Sequence, residues 1–184
     1  FVERIDFSEE KIINFETYSK KVSLSKERAL KIASFYATRF YRDFDTKKMQ
    51  LVSADLIDHH FAREYRFVWE QLIDGVETPN CVMISINPAT GKILTYIGLS
   101  RDIEVSLIPS VTQESALDIA VSQFPSIVPA DSEATLRIDY PEKDDQRLVW
   151  MVEIQGEPVE NVMQGGLVAI DAQTGEVLVV GPYA

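Results

Sequence analysis

The side chains suited to chemistry are few: one cysteine, two adjacent histidines and scattered carboxylates in 184 residues. A nucleophilic thiol needs a depressed pKa and an aligned base. Cys81 opens the apolar run Cys81-Val82-Met83-Ile84, where nothing local supplies either, so it reads as a small core or edge residue. His59 and His60 point to opposite faces of an extended chain. They do not chelate one metal easily, and with a single cysteine a zinc site is nearly excluded. A solvated loop or strand end is the plain reading for them, and a pH-sensitive contact is the functional one. Asp144 and Asp145 follow Lys143 and read as turn residues rather than a general acid–base pair. The loop around Asp171 offers too few oxygen ligands for a calcium loop of the usual kind. The sequence has no His-Glu-x-x-His helix, no glycine-rich phosphate loop and no Gly-x-Ser-x-Gly elbow. It therefore predicts no catalytic, cofactor-binding or metal-binding residue, and no enzyme.

Charge narrows the partners. The net charge is −11, which opposes nucleic acid, whose phosphates require Lys and Arg, and disfavours acidic lipid. Residues 1–100 carry 14 basic and 14 acidic side chains, whereas residues 101–184 carry 4 and 15. The whole imbalance lies in the second part, either as a solubilising surface or as an acidic face for a cationic partner. A basic strip of Arg28, Lys31, Arg39, Arg42, Lys47 and Lys48 marks the other part, with Phe35, Tyr41 and Phe61 expected off its buried face. Hydrophobic residues make up 46% of the chain, enough for a sizeable core. No apolar run reaches the ~20 residues that span a bilayer. The start at Phe1 suggests a mature or trimmed fragment whose export signal has been removed. One cysteine permits no internal disulfide.

The elements that must position these residues come from an internal repeat. Ser25-Lys-Glu-Arg-Ala29-Leu30-Lys-Ile32-Ala33 matches Thr112-Gln-Glu-Ser-Ala116-Leu117-Asp-Ile119-Ala120. Arg66-Phe-Val-Trp69 matches Arg147-Leu-Val-Trp150, and Ile86-Asn87-Pro-Ala-Thr90-Gly91 matches Ile170-Asp171-Ala-Gln-Thr174-Gly175. The offsets are 87, 81 and 84 residues. Ser25 and Thr112 are helix N-caps, followed by Glu27 and Glu114 in the dipole-favoured first turn. Pro125 ends the second helix, and the first is expected to run towards Phe44. Trp69 and Trp150 read as equivalent anchors in strands over 65–73 and 148–154. Asn87 and Asp171 open hairpin turns that Gly91 and Gly175 close with positive φ. Further strands are expected over 50–57 and 134–140. The prediction is an α+β chain: two tandem modules, each one helix packed on an antiparallel sheet of about four strands. Their bounds are 25–100 and 101–184, joined across 101–111, after an extension over 1–24 that is read as a short helix, with Ile13, Phe15 and Thr17 fitting a strand as the alternative.

The series Thr112-x-Glu-x-Ala116-Leu117-x-Ile119-Ala120, Trp150-x-Val-Glu153-Ile154 and Asp171-x-x-Thr174-Gly175-Glu176-Val177-Leu178 resembles a PepSY domain. The first copy resembles it less closely, with Asn87-Pro88 and Lys92 in place of acidic residues. The two cover about 25–181. Such modules occur in propeptides of secreted thermolysin-type metallopeptidases and in spore-germination proteins that partner a cell-wall hydrolase. The family has no agreed catalytic residues. The resemblance implies an extracytoplasmic, secreted or cell-surface, non-catalytic module. It would bind and regulate another extracytoplasmic protein, a peptidase or cell-wall hydrolase, through a sheet edge or a hairpin, with no cofactor. The alternative is a structural spacer in a cell-surface lipoprotein or larger envelope protein.

Overall fold

The computed structural model describes residues 20–160 and 162–183. The expected helix within 1–24 falls mostly outside the described residues. In chain order the elements are α1 (Lys26–Phe40), β1 (Gln50–Asp58), β2 (Arg63–Ile73), β3 (Val76–Ile86), β4 (Ile93–Leu99), α2 (Gln113–Ser122), β5 (Pro129–Glu142), β6 (Asp145–Val159), β7 (Val162–Asp171) and β8 (Val177–Pro182).

Both helices start where their caps dictate. The Ser25 hydroxyl accepts from the Arg28 amide, and Thr112 accepts from Ser115 at 3.2 Å. Helix α1 ends at Phe40 rather than near Phe44, because Tyr41 turns extended and is drawn inward. Each helix lays a stripe of alanines on the sheet: Ala29, Ala33 and Ala37 in α1, Ala116 and Ala120 in α2. Small residues there let the backbone approach large strand side chains. Under α1 these are Tyr65, Phe67, Trp69, Val82, Ile84 and Ile86. Under α2 they are Leu148, Trp150, Val152, Ile154, Val168 and Ile170. Each fully buried large side chain contributes ~1.5–3 kcal/mol.

The strands correct the predicted fold class. Instead of two modules, each a helix on its own four-stranded sheet, eight strands form one sheet ordered β1-β2-β3-β5-β6-β7-β8, with β4 also paired to β3. Strands dominate, and the helices are two short elements. The cause lies in β3. Its residues 81–86 pair with the shorter β4, and its first residues run past that partner. There Glu77 pairs in parallel with Arg137 of β5. Val76 of β3 enters the core under α2, so both helices cover the same sheet face and the other face is open. Buried Asn80 seals the junction: its Nδ2 donates to Gln71 Oε1 at 2.7 Å and its Oδ1 accepts from the Arg101 amide at 2.5 Å. Segment 101–111 is fastened in turn. Ile103, Val105 and Leu107 pack on the α2 core, Gln146 brackets Glu104 and Asp102, and the Arg101 guanidinium lies over the Tyr140 ring.

The hairpin loops hold the helices down. Asn87 Oδ1 accepts from the amides of Ala89 and Thr90, and Asp171 Oδ1 from those of Gln173 and Thr174. The next carbonyl in each loop accepts two amides just before the helix: Pro88 from Ser23 and Leu24, Ala172 from Ser110 and Val111. The Leu24 carbonyl also accepts from Tyr65 Oη at 3.0 Å, and the Val111 carbonyl from Trp150 Nε1 at 2.8 Å. Tyr65 faces Ile86 across the ladder as Trp150 faces Ile170, whereas Trp69 faces Val82. The partner of Trp150 in this frame is thus Tyr65, not Trp69. The Arg-x-Val-Trp match is four residues out of register. A shift by an even number keeps every side chain on its face, so both tryptophans are buried although their places differ.

Candidate functional site

The residues singled out for chemistry do not converge. Cys81 is half-buried on β3, and burial followed by the nearby Glu70 pushes its thiol above the ordinary range, away from a nucleophile. His59 Nε2 lies 3.4 Å from the buried carboxylate of Glu64, which Arg66 Nη2 also meets at 2.5 Å. His60 sits in the β1–β2 turn with left-handed backbone, φ 65°, its amide donating to Asp58. Asp144 occupies the β5–β6 turn with positive φ, and Asp145 pairs with Arg147 at 2.7 Å. Burial works to raise the Asp171 carboxyl, but the Thr174 and Gln173 amides, with Arg147, outweigh it and hold it low. Phe35 and Phe61 are exposed as expected, at 60% and 65%. Tyr41 is not: it is buried and donates to the Leu99 carbonyl at 2.7 Å. Lys47 of the basic strip donates to Ser100 Oγ and the Arg101 carbonyl, both at 2.9 Å.

The open sheet face collects side chains that the sequence reading left as ordinary strand residues. On β2, β3 and β4 the register sets Val68, Met83 and Ile97 in one apolar row. On β6, β7 and β8 it aligns Met151, Ala169 and Val179, with Leu167 beside them. This second row floors a groove of about 500 Å3 whose lining also includes Asp139, Gly181, Pro182 and Tyr183. Tyr183 folds over the face, its phenol donating to Glu153 Oε1. That bond raises the phenol to about 12, and with Gln155 it holds the Glu153 carboxyl below its ordinary range. Two adjacent glycines let the backbones of β7 and its neighbours approach closely beside it. A Cβ on Gly165, at φ +127°, would stand 1.8 Å from the Ile154 carbonyl oxygen, and one on Gly166 would stand 2.3 Å from that of Gly181. The sequence carried one signal for this face, the unbroken apolar runs at 167–170 and 177–180. A strand covered on one side alternates, while a continuous run has an apolar second face as well.

Beside the groove lies an acidic recess lined by Asp131, Ser132, Glu133, Glu153 and Gln155. Glu133 and Glu153 stand directly opposite each other across β5 and β6. Like charges so placed repel. Among the described residues, neither of them nor Asp131 takes part in an ion pair. No helix in the described residues is long and apolar enough to cross a membrane.

No family model and no curated protein matches the chain. Among solved structures it is similar to the Bacillus megaterium YpeB C-terminal domain, with 19% sequence identity and a TM-score of 0.45, over 90% of this chain and 68% of that one.

Proposed function

We propose that this chain is a non-catalytic, extracytoplasmic module that binds and regulates another protein, a secreted peptidase or a cell-wall hydrolase. The observation that carries the reading is the one-sided sheet. Two helices cover one face, and the other presents an apolar groove next to the free edge of β8. A sheet edge offers unpaired backbone groups to an extended segment, and pockets beside it select side chains. The PepSY-like series running from Thr112 to Leu178 supports the same class of role. We take 25–100 and 101–184 as tandem copies of one unit, supported by the paired loop-to-helix hydrogen bonds of Pro88 and Ala172.

The test is titration of the purified chain into secreted peptidases and cell-wall hydrolases of the source organism. The reading expects saturable binding, with inhibition or altered activity, for at least one enzyme. Unchanged activity and no binding across that set would refute it.

A further inference from the structure

Resting on that binding reading, the geometry points to the form of the bound element: we propose that the open face over β5–β8 takes one basic amphipathic helix of the partner, laid across the strands. Its apolar stripe enters the groove over Val179, Leu167 and Met151. A Lys or Arg at its far end meets Glu153 and Glu133.

The groove crosses strands rather than following one. Val179, Ala169 and Met151 lie in register on β8, β7 and β6, and the short Ala169 leaves a hollow between its larger neighbours. Glu153 and Glu133 continue the crossing on β6 and β5, in the row that contains Leu167. Neighbouring strands stand about 4.8 Å apart, so β8 to β6 is about 10 Å and β8 to β5 about 14 Å. A segment lying on that face meets side chains only, so its peptide groups must be satisfied within itself. A helix does this. Residues i, i+4 and i+7 share one side of a helix and span about 10.5 Å, which matches β8 to β6. Residues i+8 and i+11, about 12 and 16 Å along, reach the strip between β6 and β5 where the two carboxylates stand. The covered face of the same sheet already receives two helices.

Charge selects the helix. The opposed Glu133 and Glu153 raise the energy of the free chain, and a partner cation set between them removes that repulsion. Tyr183 and Gln155 already fix the Glu153 carboxylate in place. The cations of β5 and β6 on this face are engaged: Arg137 with Asp139 at 2.5 Å, and Arg147 with Asp145 at 2.7 Å. Residues 101–184 hold 4 basic and 15 acidic side chains, a field that attracts a basic element from a distance. A second copy does not supply that element. The outward side of α1 sets Arg28, Lys31 and Arg39 around one apolar residue, Phe35, with no apolar neighbour a turn away, and α2 turns Glu114 and Asp118 outward.

The probe is a fluorescein-labelled peptide of about five helical turns, with leucine at i, i+4 and i+7, lysine at i+8 and i+11, and alanine and glutamine elsewhere. It is titrated by anisotropy into the intact chain. One control has the same composition with leucines and lysines scattered around the helix; the other has glutamate for lysine. The probe is expected to bind at least about tenfold more tightly than either control, and to gain helical circular dichroism on binding. Glu133→Gln with Glu153→Gln together weakens it by about three- to tenfold. Leu167→Arg and Val179→Lys, both at exposed positions of the groove, each abolish it, while Val52→Arg on β1 leaves it unchanged. Val179→Lys decides where Leu167→Arg loses its native spectrum. Equal binding of the scattered peptide overturns the inference. So does a bound probe with the spectrum of a strand, unaltered binding by a natively folded groove variant, or self-association through Leu167 with no peptide bound. If a hydrolase is regulated equally by the native chain and by the groove variants, the binding reading stands and this inference falls. If the probe binds as expected and no hydrolase does, the helix site stands and the hydrolase reading falls.

Discussion

Replacing Gly165 by alanine tests the close backbone contact between β7 and β6. At φ +127° an L-residue is strained, and the added Cβ would lie 1.8 Å from the Ile154 carbonyl oxygen and 2.8 Å from its carbon. Both are main-chain atoms of β6, so no rotamer change relieves the clash; β6 and β7 must separate. Backbone strain of ~1–3 kcal/mol and overpacking of ~1–3 kcal/mol together give ~2–6 kcal/mol. That is a large share of the ~5–15 kcal/mol that holds a domain folded. Gly75→Ala is the internal control. It also has positive φ, +85°, but a Cβ there meets nothing within 4 Å, so only the left-handed backbone penalty of ~1–2 kcal/mol remains. With a urea slope of ~2 kcal/mol/M, Gly165→Ala lowers the unfolding midpoint by ~1–3 M and Gly75→Ala by ~0.5–1 M. Tryptophan fluorescence reads the transition, since Trp150 sits in the core next to β7. A Gly165→Ala midpoint equal to or above that of Gly75→Ala would refute the reasoning.

Tyr65→Phe and Trp150→Phe each remove a hydrogen bond to the carbonyl before a helix cap. Tyr65→Phe is expected to cost ~0.5–1.5 kcal/mol, and Trp150→Phe more, since it also leaves core volume unfilled; urea titration measures both. For Asp171 the pH dependence has a definite sign. Its folded pKa lies below its unfolded value of 3.8, so its stabilisation is present above that value and is lost as pH falls through the folded pKa. Asp171→Asn keeps the Oδ1 acceptor, as Asn87 does in the other hairpin. The variant therefore stays folded at neutral pH and shows a shallower loss of thermal midpoint below about pH 4, followed by circular dichroism.

The parts legible in the sequence were those specified locally. Ser25 and Thr112 marked the helix starts, because a cap is read within three residues. Asn87-Pro88 and Asp171 with Gly91 and Gly175 marked the hairpins, because turn geometry needs those side chains at those places. Segments whose meaning depends on distant partners were not legible. The joining of β3 to β5 rests on one parallel pairing, Glu77 with Arg137, between strands of unequal length. The four-residue slip that equated Trp69 with Trp150 preserves the alternation of faces, so periodicity offers no check on it. The groove was hidden because Met151, Leu167 and Val179 have the composition of core residues. Only the position of both helices on the opposite face leaves Leu167 and Val179 exposed and Met151 partly so. The expectation of separate sheets failed for the same reason, since local patterns specify strands without specifying which edges meet.

The central claim is that the uncovered face at β8 is where this chain meets its partner. Methyl and amide nuclear magnetic resonance of the intact chain, titrated with a secreted peptidase or cell-wall hydrolase that binds it, addresses it directly. The account predicts shifts concentrated at Met151, Leu167, Ala169 and Val179 and at the β8 amides, with the α1 surface around Phe35 unmoved. Shifts confined to α1 or to β1 at saturating enzyme would contradict it.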